Sequence, residues 1–283
     1  MKNTTMINTA IHWSLDPEIT DILGFSLRYY GVLFVAGLIL CILFLKKIFA
    51  REGIDPLQLD RLTIYGVLGI FLGARLAHCL FYDPAYFFSH PLEILLPVEV
   101  TPEGNYVFTG YRGLASHGGA LGMIIAILGN EKKTSEPLLK TLDMIAIVGP
   151  LSGVFIRLAN LANSEIIGKP SDMPWAFVFT RVDMVARHPA QLYEAIIYLV
   201  AFGVLWHLYN SEKIKPGNGL YFGLSILMVF MSRFLVEFVK ERQVTFEEEM
   251  LLDLGQWLSV PFIVVGILFI VFAIRNNRKM NLR

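Results

Sequence analysis

Long, nearly uninterrupted runs of apolar residues dominate the chain, and short polar segments separate them. Seven runs can be drawn: Tyr29–Leu45, Leu62–Tyr82, Leu114–Gly129, Leu138–Leu161, Ala190–Tyr209, Gly219–Val239 and Leu254–Ile274. Each approaches or exceeds the roughly 20 apolar residues that a helix needs to cross a bilayer core. The pattern predicts an all-α polytopic membrane protein with about seven transmembrane helices. The third run is the shortest and the richest in glycine, so its ends are the least sharply defined.

Composition supports this interpretation. Hydrophobic residues make up 55% of the chain and charged residues 17%, with a mean hydropathy of +0.56, whereas soluble domains carry roughly a quarter charged residues. The 24 basic and 24 acidic residues cancel, which argues against a nucleic-acid-binding protein with its basic excess. The two cysteines lie in apolar runs, so a disulfide scaffold is excluded. Because no repeat of fixed period is visible, we expect one integral domain over residues 1–283.

Basic residues collect in alternate loops and set the expected orientation. They are Lys46, Lys47, Arg51, Arg61, Lys132, Lys133, Lys140, Lys213, Lys215 and, in the tail, Arg275, Arg278, Lys279 and Arg283. Positively charged loops stay in the cytoplasm, so we expect the N-terminus outside and the C-terminus in the cytoplasm. The proline-containing segments 83–113 and 162–189 then form ordered extracytoplasmic loops. The first 24 residues are too polar for a cleavable signal peptide.

Charged and amide side chains inside the apolar runs mark a candidate site, because a charge in a span costs about 3 kcal/mol and usually serves a function. The strongest group is Arg157, Asn160 and Ser164, whose spacing places them on one helix face. Glu165 lies beside that face if the helix continues so far. Guanidinium groups suit bidentate phosphate binding, and the phosphates at that depth belong to lipid headgroups. Arg233 would supply a second guanidinium.

Other polar residues in the runs allow more than one interpretation. Arg233 and Glu237 are four residues apart and could neutralise each other as a helical pair. Arg75 remains open between structural pairing and function, while His78 is better explained by packing or by an interfacial position. His117 opens a glycine-rich helix that allows close approach, and a histidine there can act as a general base near neutral pH. Metal-ligand spacing around it is lacking, so no metal is predicted.

Several motifs, taken together, resemble one bacterial family. HGGALG (117–122), RLANLANSEIIG (157–168), RHPAQLYE (187–194), RFLVEF (233–238) and LGQWLS (254–259) look like those of the prolipoprotein diacylglyceryl transferases, in the same order. The resemblance implies a seven-span inner-membrane enzyme that moves a diacylglyceryl group from phosphatidylglycerol to the lipobox cysteine thiol of a prolipoprotein and releases glycerol phosphate. It implies no cofactor. Its partners would be phosphatidylglycerol, prolipoprotein signal peptides and membrane lipid, without nucleic acid.

The resemblance also assigns roles to single residues. The catalytic residues would be His117 and Arg233, and the substrate-binding residues would be Tyr30, Arg157, Asn160, Asn163, Glu165, Gly168 and Glu237. The chain departs from the family pattern G-R-x-G-N-F, because Ile156, Ala159 and Leu161 replace its two glycines and its phenylalanine. Val229 stands where a tyrosine is common, so a hydroxyl role cannot be carried over there.

Two other functions are compatible with intramembrane arginines. A transporter or channel for an anionic solute would be expected to show an inverted repeat of interrupted helices, and none is visible in the sequence. A non-catalytic lipid-binding scaffold would explain Arg157 and Arg233, but not His117 with its glycines. Formation of lipidated peptide and glycerol phosphate would distinguish the transferase from both.

Overall fold

The computed structural model describes residues 10–22, 25–101, 104–108, 113–134, 136–242 and 251–280. Its helices there are α1 (Tyr29–Arg51), α2 (Pro56–Phe81), α3 (Pro84–Ser89), α4 (Pro91–Leu95), α5 (Ser116–Glu131), α6 (Leu138–Ala162), α7 (Ala190–Asn210), α8 (Leu220–Glu237) and α9 (Leu254–Met280). Its strands there are β1 (Ile11–Trp13), β2 (Glu18–Ile22), β3 (Phe25–Arg28), β4 (Val98–Val100), β5 (Tyr106–Phe108), β6 (Phe177–Phe179) and β7 (Ala186–Arg187).

The predicted polytopic helical architecture is confirmed. Within the described ranges, six helices are long and apolar enough to cross a membrane, namely α1, α2, α6, α7, α8 and α9. Helix α5 has 16 residues and rises about 24 Å, less than the roughly 30 Å of a hydrocarbon core, so the count of seven spans stays a prediction. Several helices are longer than the apolar runs that predict them, because helical hydrogen bonding continues into the polar residues at their ends. Of the basic tail, Arg283 lies outside the described residues.

The chain divides into two compact units. The first comprises Met1–Ile22, Ser26–Leu45 and Leu142–Arg283, and the second comprises Leu23–Phe25 and Lys46–Thr141. The expectation of a single domain stays a prediction, and the two units are described separately below.

In the second unit, α2 and α5 pack with their backbones almost in contact. A Cβ atom added to Gly122 would overlap the carbonyl oxygen of Gly69, and one added to Gly73 would overlap that of Gly118. Only glycine permits so close an approach. The segment between the two helices contains α3, α4 and the antiparallel hairpin of β4 and β5. The expected order of this loop is therefore present in its described residues.

In the first unit, a small sheet lies against one end of α6. Strand β1 pairs in parallel with β6, and β6 pairs antiparallel with β7. The Trp13 indole donates a hydrogen bond of 2.9 Å to the carbonyl oxygen of Leu161, and Phe177 and Phe179 pack against Leu161. The sheet thus fixes the end of α6 that carries the candidate residues.

The other end of α6 is tied to the start of α8 by Asp143. This carboxylate is completely buried and accepts backbone N–H bonds from Gly217 at 2.8 Å, Gly219 at 2.9 Å and Phe222 at 2.9 Å. Gly219 adopts a φ of 84° before the first residue of α8, a conformation that favours glycine. Asp143 therefore sets the position of α8, the helix that carries Arg233, relative to α6.

Candidate active site

Three of the predicted site residues form a hydrogen-bonded chain at the end of α6. Arg157 Nη1 donates to Asn160 Oδ1 at 3.1 Å, and Asn160 Nδ2 donates to Glu165 Oε1 at 2.6 Å. Arg157 and Asn160 are buried, whereas Glu165 is exposed. These hydrogen bonds therefore connect the buried Arg157 guanidinium to the exposed Glu165 carboxylate.

A turn after α6, and not the continuation of the helix, brings Glu165 to Asn160. Helix α6 ends at Ala162, and Ser164 and Ile166 have φ angles of 56° and 58°. The prediction that Ser164 shares the face of Arg157 and Asn160 is therefore wrong. Non-glycine residues with positive φ are uncommon, and such strain is concentrated at functional sites. Here it folds the chain back, so that the backbone N–H of Glu165 donates to the Asn160 carbonyl at 3.1 Å.

This turn keeps polar atoms without partners. Among the described residues, Asn163 Oδ1, Ser164 Oγ and Gln191 Oε1 are buried and accept no hydrogen bond. Gln191 Nε2 donates to the backbone oxygen of Glu165 at 2.5 Å, which fixes the amide orientation. A buried acceptor without a donor costs about 1–3 kcal/mol. These three oxygens are therefore hydrogen-bond acceptors that the described residues leave unsatisfied.

A carboxylate that the sequence analysis missed lies at the centre of the site. Glu194 of α7 is completely buried, and its Oε2 lies 2.7 Å from Arg157 Nε in an ion pair whose N–H does not point at the oxygen. Its Oε1 accepts from Lys240 Nζ at 3.0 Å, and Lys240 also donates to Glu237 Oε2 at 3.0 Å. Arg157, Glu194, Lys240 and Glu237 form a four-membered network, called the ionic network below, whose formal charges cancel.

Arg233 stands outside this charge balance. The alternative of a helical pair between Arg233 and Glu237 is wrong, because Glu237 pairs with Lys240. Arg233 is half-buried, and in the part of the chain that the structure describes its guanidinium forms no hydrogen bond or ion pair. Tyr198 interacts electrostatically with both Arg157 and Arg233. Among the described residues, the Arg233 guanidinium is therefore in contact with no carboxylate.

The remaining first-unit residues lie around the same end of α6. Tyr30, at the start of α1, is half-buried and interacts electrostatically with Glu165 and Arg157. Gly168 is buried, and its N–H donates to the His188 carbonyl at 3.0 Å, an oxygen that an added Cβ would meet. Gly168 thus acts here through its backbone, and its predicted part in substrate binding stays a prediction.

His117 belongs to the second unit. It is the second residue of α5, its side chain is exposed, and its imidazole has no hydrogen bond to the described residues. Its role as a base stays a prediction. Across the described ranges, no group of three or more His, Cys, Asp or Glu side chains is arranged to hold a metal ion.

Comparisons with known proteins give one consistent result. The family model described as "Prolipoprotein diacylglyceryl transferase" matches residues 17–272. A Bacteroides fragilis protein named phosphatidylglycerol–prolipoprotein diacylglyceryl transferase is 49% identical over 263 residues, covering 93% of this chain and 95% of its own. Proteins of the same name from Tolumonas auensis and Porphyromonas gingivalis are 38% and 37% identical, covering 95% and 94% of this chain and 100% and 95% of their own.

Proposed function

The chain belongs to the prolipoprotein diacylglyceryl transferase family, and on that premise we propose that it transfers the diacylglyceryl group of phosphatidylglycerol to a cysteine thiol of a prolipoprotein. This is the first step of lipoprotein maturation. The relatives are named for this reaction, and the apolar helices make the chain a multi-pass membrane protein. We assign the acceptor thiol to the lipobox cysteine of the prolipoprotein signal peptide.

The reaction needs a base and an anion-binding group. The sulfur attacks the glycerol carbon that carries the phosphate ester, so a C–S bond forms and a C–O bond breaks. The electron pair leaves with the phosphate as glycerol phosphate, and the thiol proton passes to a base. Because a cysteine thiol has a pKa of about 8.5, a base near neutral pH raises the amount of thiolate. Fixed cations stabilise the leaving phosphate.

The assignment of the phosphate site rests on Arg233, whose guanidinium has no ionic partner among the described residues. Arg157 already faces the Glu194 carboxylate at 2.7 Å, whereas Arg233 has no ionic partner among the described residues. We therefore assign Arg233 the direct contact with the phosphate. A planar guanidinium binds a phosphate through two parallel N–H bonds, and those bonds strengthen as negative charge develops on the leaving group.

We assign each of the other predicted residues a role in the same reaction. We assign binding of the lipid headgroup to the exposed Glu165 carboxylate, which Asn160 and Arg157 orient. The lipid-binding set also contains Tyr30, Asn163, Gly168 and Glu237. His117, whose imidazole has no hydrogen-bond partner among the described residues, is assigned as the base that accepts the thiol proton. The family match runs through both units, which supports one transferase domain over residues 1–283.

We place the enzyme in the bacterial cytoplasmic membrane, with its N-terminus outside and its C-terminus in the cytoplasm. The alternating basic loops support this orientation. It places the segments 83–113 and 162–189 on the outer side, where an exported prolipoprotein presents its cysteine.

The assignment is tested with purified protein in phosphatidylglycerol-containing vesicles and a labelled lipobox peptide. Lipidated peptide is detected by a gel shift, and glycerol phosphate is measured as the second product. Arg233→Lys keeps the charge but loses the planar fork, so it should lose most of the activity. Arg181→Lys is the matched control, because Arg181 is an exposed residue of the same unit paired with Asp16 at 3.3 Å. Near-normal turnover of Arg233→Lys would contradict the phosphate assignment, and a wild-type protein that forms neither product would contradict the function.

A further inference from the structure

Arg75 holds three backbone carbonyl groups of the segment that leads to His117. It is buried in the second unit. Its Nη2 donates to the Glu93 carbonyl at 2.5 Å, its Nε to Ile94 at 3.1 Å and its Nη1 to Gly113 at 3.3 Å. One guanidinium thus binds the chain at two places about twenty residues apart, within α4 and just before α5.

The carbonyl groups at the first place are themselves fixed. The Glu93 carboxylate is buried and accepts from the Tyr86 hydroxyl at 2.9 Å and from the Val100 N–H at 2.9 Å. The Phe87 ring centroid lies 4.9 Å from Arg75 Cζ, within the range of a cation–π contact. Arg75 therefore connects Gly113 to α4, whose position is fixed by the hydrogen bonds of Glu93.

The second place is connected directly to the start of α5. The Ala115 N–H donates at 2.9 Å to the Ala74 carbonyl, beside Arg75. Gly113 has a φ of +77°, and an added Cβ would run into the His78 ring, so this position requires glycine. The close glycine contacts of α2 and α5 begin at once after His117. The backbone around His117 is therefore set by one turn of α2.

We infer that Arg75 is a positioning residue for His117, which it serves by fixing the chain immediately before α5. The inference rests on the proposed role of His117 as the base. A general base acts only within hydrogen-bonding reach of the proton it accepts, and a displacement of 1 Å can cost about 100-fold in rate. Glutamine at position 75 cannot span three carbonyl groups, and lysine lacks the planar fork.

The test is a double-mutant cycle of turnover in phosphatidylglycerol vesicles, with rates normalised to folded enzyme recovered as a single species on gel filtration. Arg75→Gln should lower turnover about 10- to 100-fold, but in the His117→Gln background it should cost less than about 3-fold. The loss should shrink as the pH rises above about 8.5, where the peptide thiol ionises unaided. If Arg75 had only a structural role, the loss would be the same in both backgrounds and at every pH.

Arg61→Gln is the matched control, because Arg61 donates to the Lys133 carbonyl at 2.6 Å just beyond the other end of α5, and it should keep near-normal turnover. If Arg75→Gln does not yield folded enzyme, Arg75→Lys takes its place in the same cycle. An equal loss in both backgrounds at every pH, or no loss at all, overturns the inference. Full activity of His117→Gln alone is a different result, because it removes the proposed base and, with it, the premise of the inference.

Discussion

Replacing Glu194 by glutamine tests whether the ionic network stabilises the fold. Glu194 is completely buried and contacts two buried cations, Arg157 at 2.7 Å and Lys240 at 3.0 Å. The change raises the net charge of the network from zero to +1. Lys240 keeps its 3.0 Å contact with Glu237, but Arg157 retains only neutral hydrogen-bonding partners among the described residues.

The expected loss follows from this geometry. Removing one partner of a buried ion pair costs about 3–5 kcal/mol, because the other charge is left uncompensated. That corresponds to roughly two to more than three orders of magnitude in the unfolding equilibrium, at about 1.4 kcal/mol for each factor of ten. An exposed ion pair contributes only about 0–1 kcal/mol. The pair of Glu18 and Arg28, at 2.8 Å and with side chains 44% and 61% exposed, provides that comparison in the same unit.

The free energy of unfolding can be measured by equilibrium denaturation in mixed detergent micelles, followed by circular dichroism. Glu194→Gln should be destabilised by about 3–5 kcal/mol and Glu18→Gln by less than about 1 kcal/mol. Combining Glu194→Gln with Lys240→Met restores neutrality, so the double variant should lose less than the sum of the two single losses. A Glu194→Gln loss as small as that of Glu18→Gln, or strict additivity with Lys240→Met, would refute the reasoning.

Three further predictions concern chemistry, orientation and acid stability. His117→Gln should slow transfer about 100- to 10,000-fold and recover partly as the pH approaches the thiol pKa of about 8.5; a loss that no pH relieves would make His117 a headgroup ligand. In a variant without Cys41 and Cys79, an impermeant maleimide should label Asp172→Cys but not Lys213→Cys in intact spheroplasts, and the reverse pattern would invert the orientation. Hydrogen bonds from Arg187 lower the pKa of Asp183, so its contribution to stability is complete above about pH 4 and is lost as the pH falls through the lowered value. Asp183→Asn should remove that acid-side loss from the unfolding curve, and an unchanged curve would contradict it.

The sequence was sufficient to predict the six helices that are long and apolar enough to cross a membrane, and to single out Arg157 and Asn160 as candidate site residues. Apolar runs reveal a span by composition, and a charge within one is expensive, which is why Arg157 was found. The position of Glu165 could not be predicted in the same way. It depends on where α6 ends and on the positive φ angles of Ser164 and Ile166. Because neither residue is a glycine, the sequence does not predict these backbone conformations.

The ionic network shows a different limit. Glu194 lies inside the run Ala190–Tyr209, so the rule that singled out Arg157 could also have singled it out. Its partners are a matter of tertiary structure: Arg157 and Lys240 are 37 and 46 residues away along the chain. For the same reason, the pairing of Glu237 with Lys240 instead of Arg233 could not be read from helical spacing, which permits both.

If α5 crosses the membrane, as the sequence predicts, its short length makes the protein sensitive to bilayer thickness. A 16-residue helix that crosses a membrane leaves about 6 Å of a 30 Å hydrocarbon core unmatched. Such a mismatch is relieved by thinning the bilayer around the helix or by drawing one helix end below the headgroups. Thinning of the bilayer brings the headgroups closer to both ends of α5, including the end that carries His117. Acyl-chain length, which sets the thickness of the hydrocarbon core, should then change the depth of His117 relative to the headgroups.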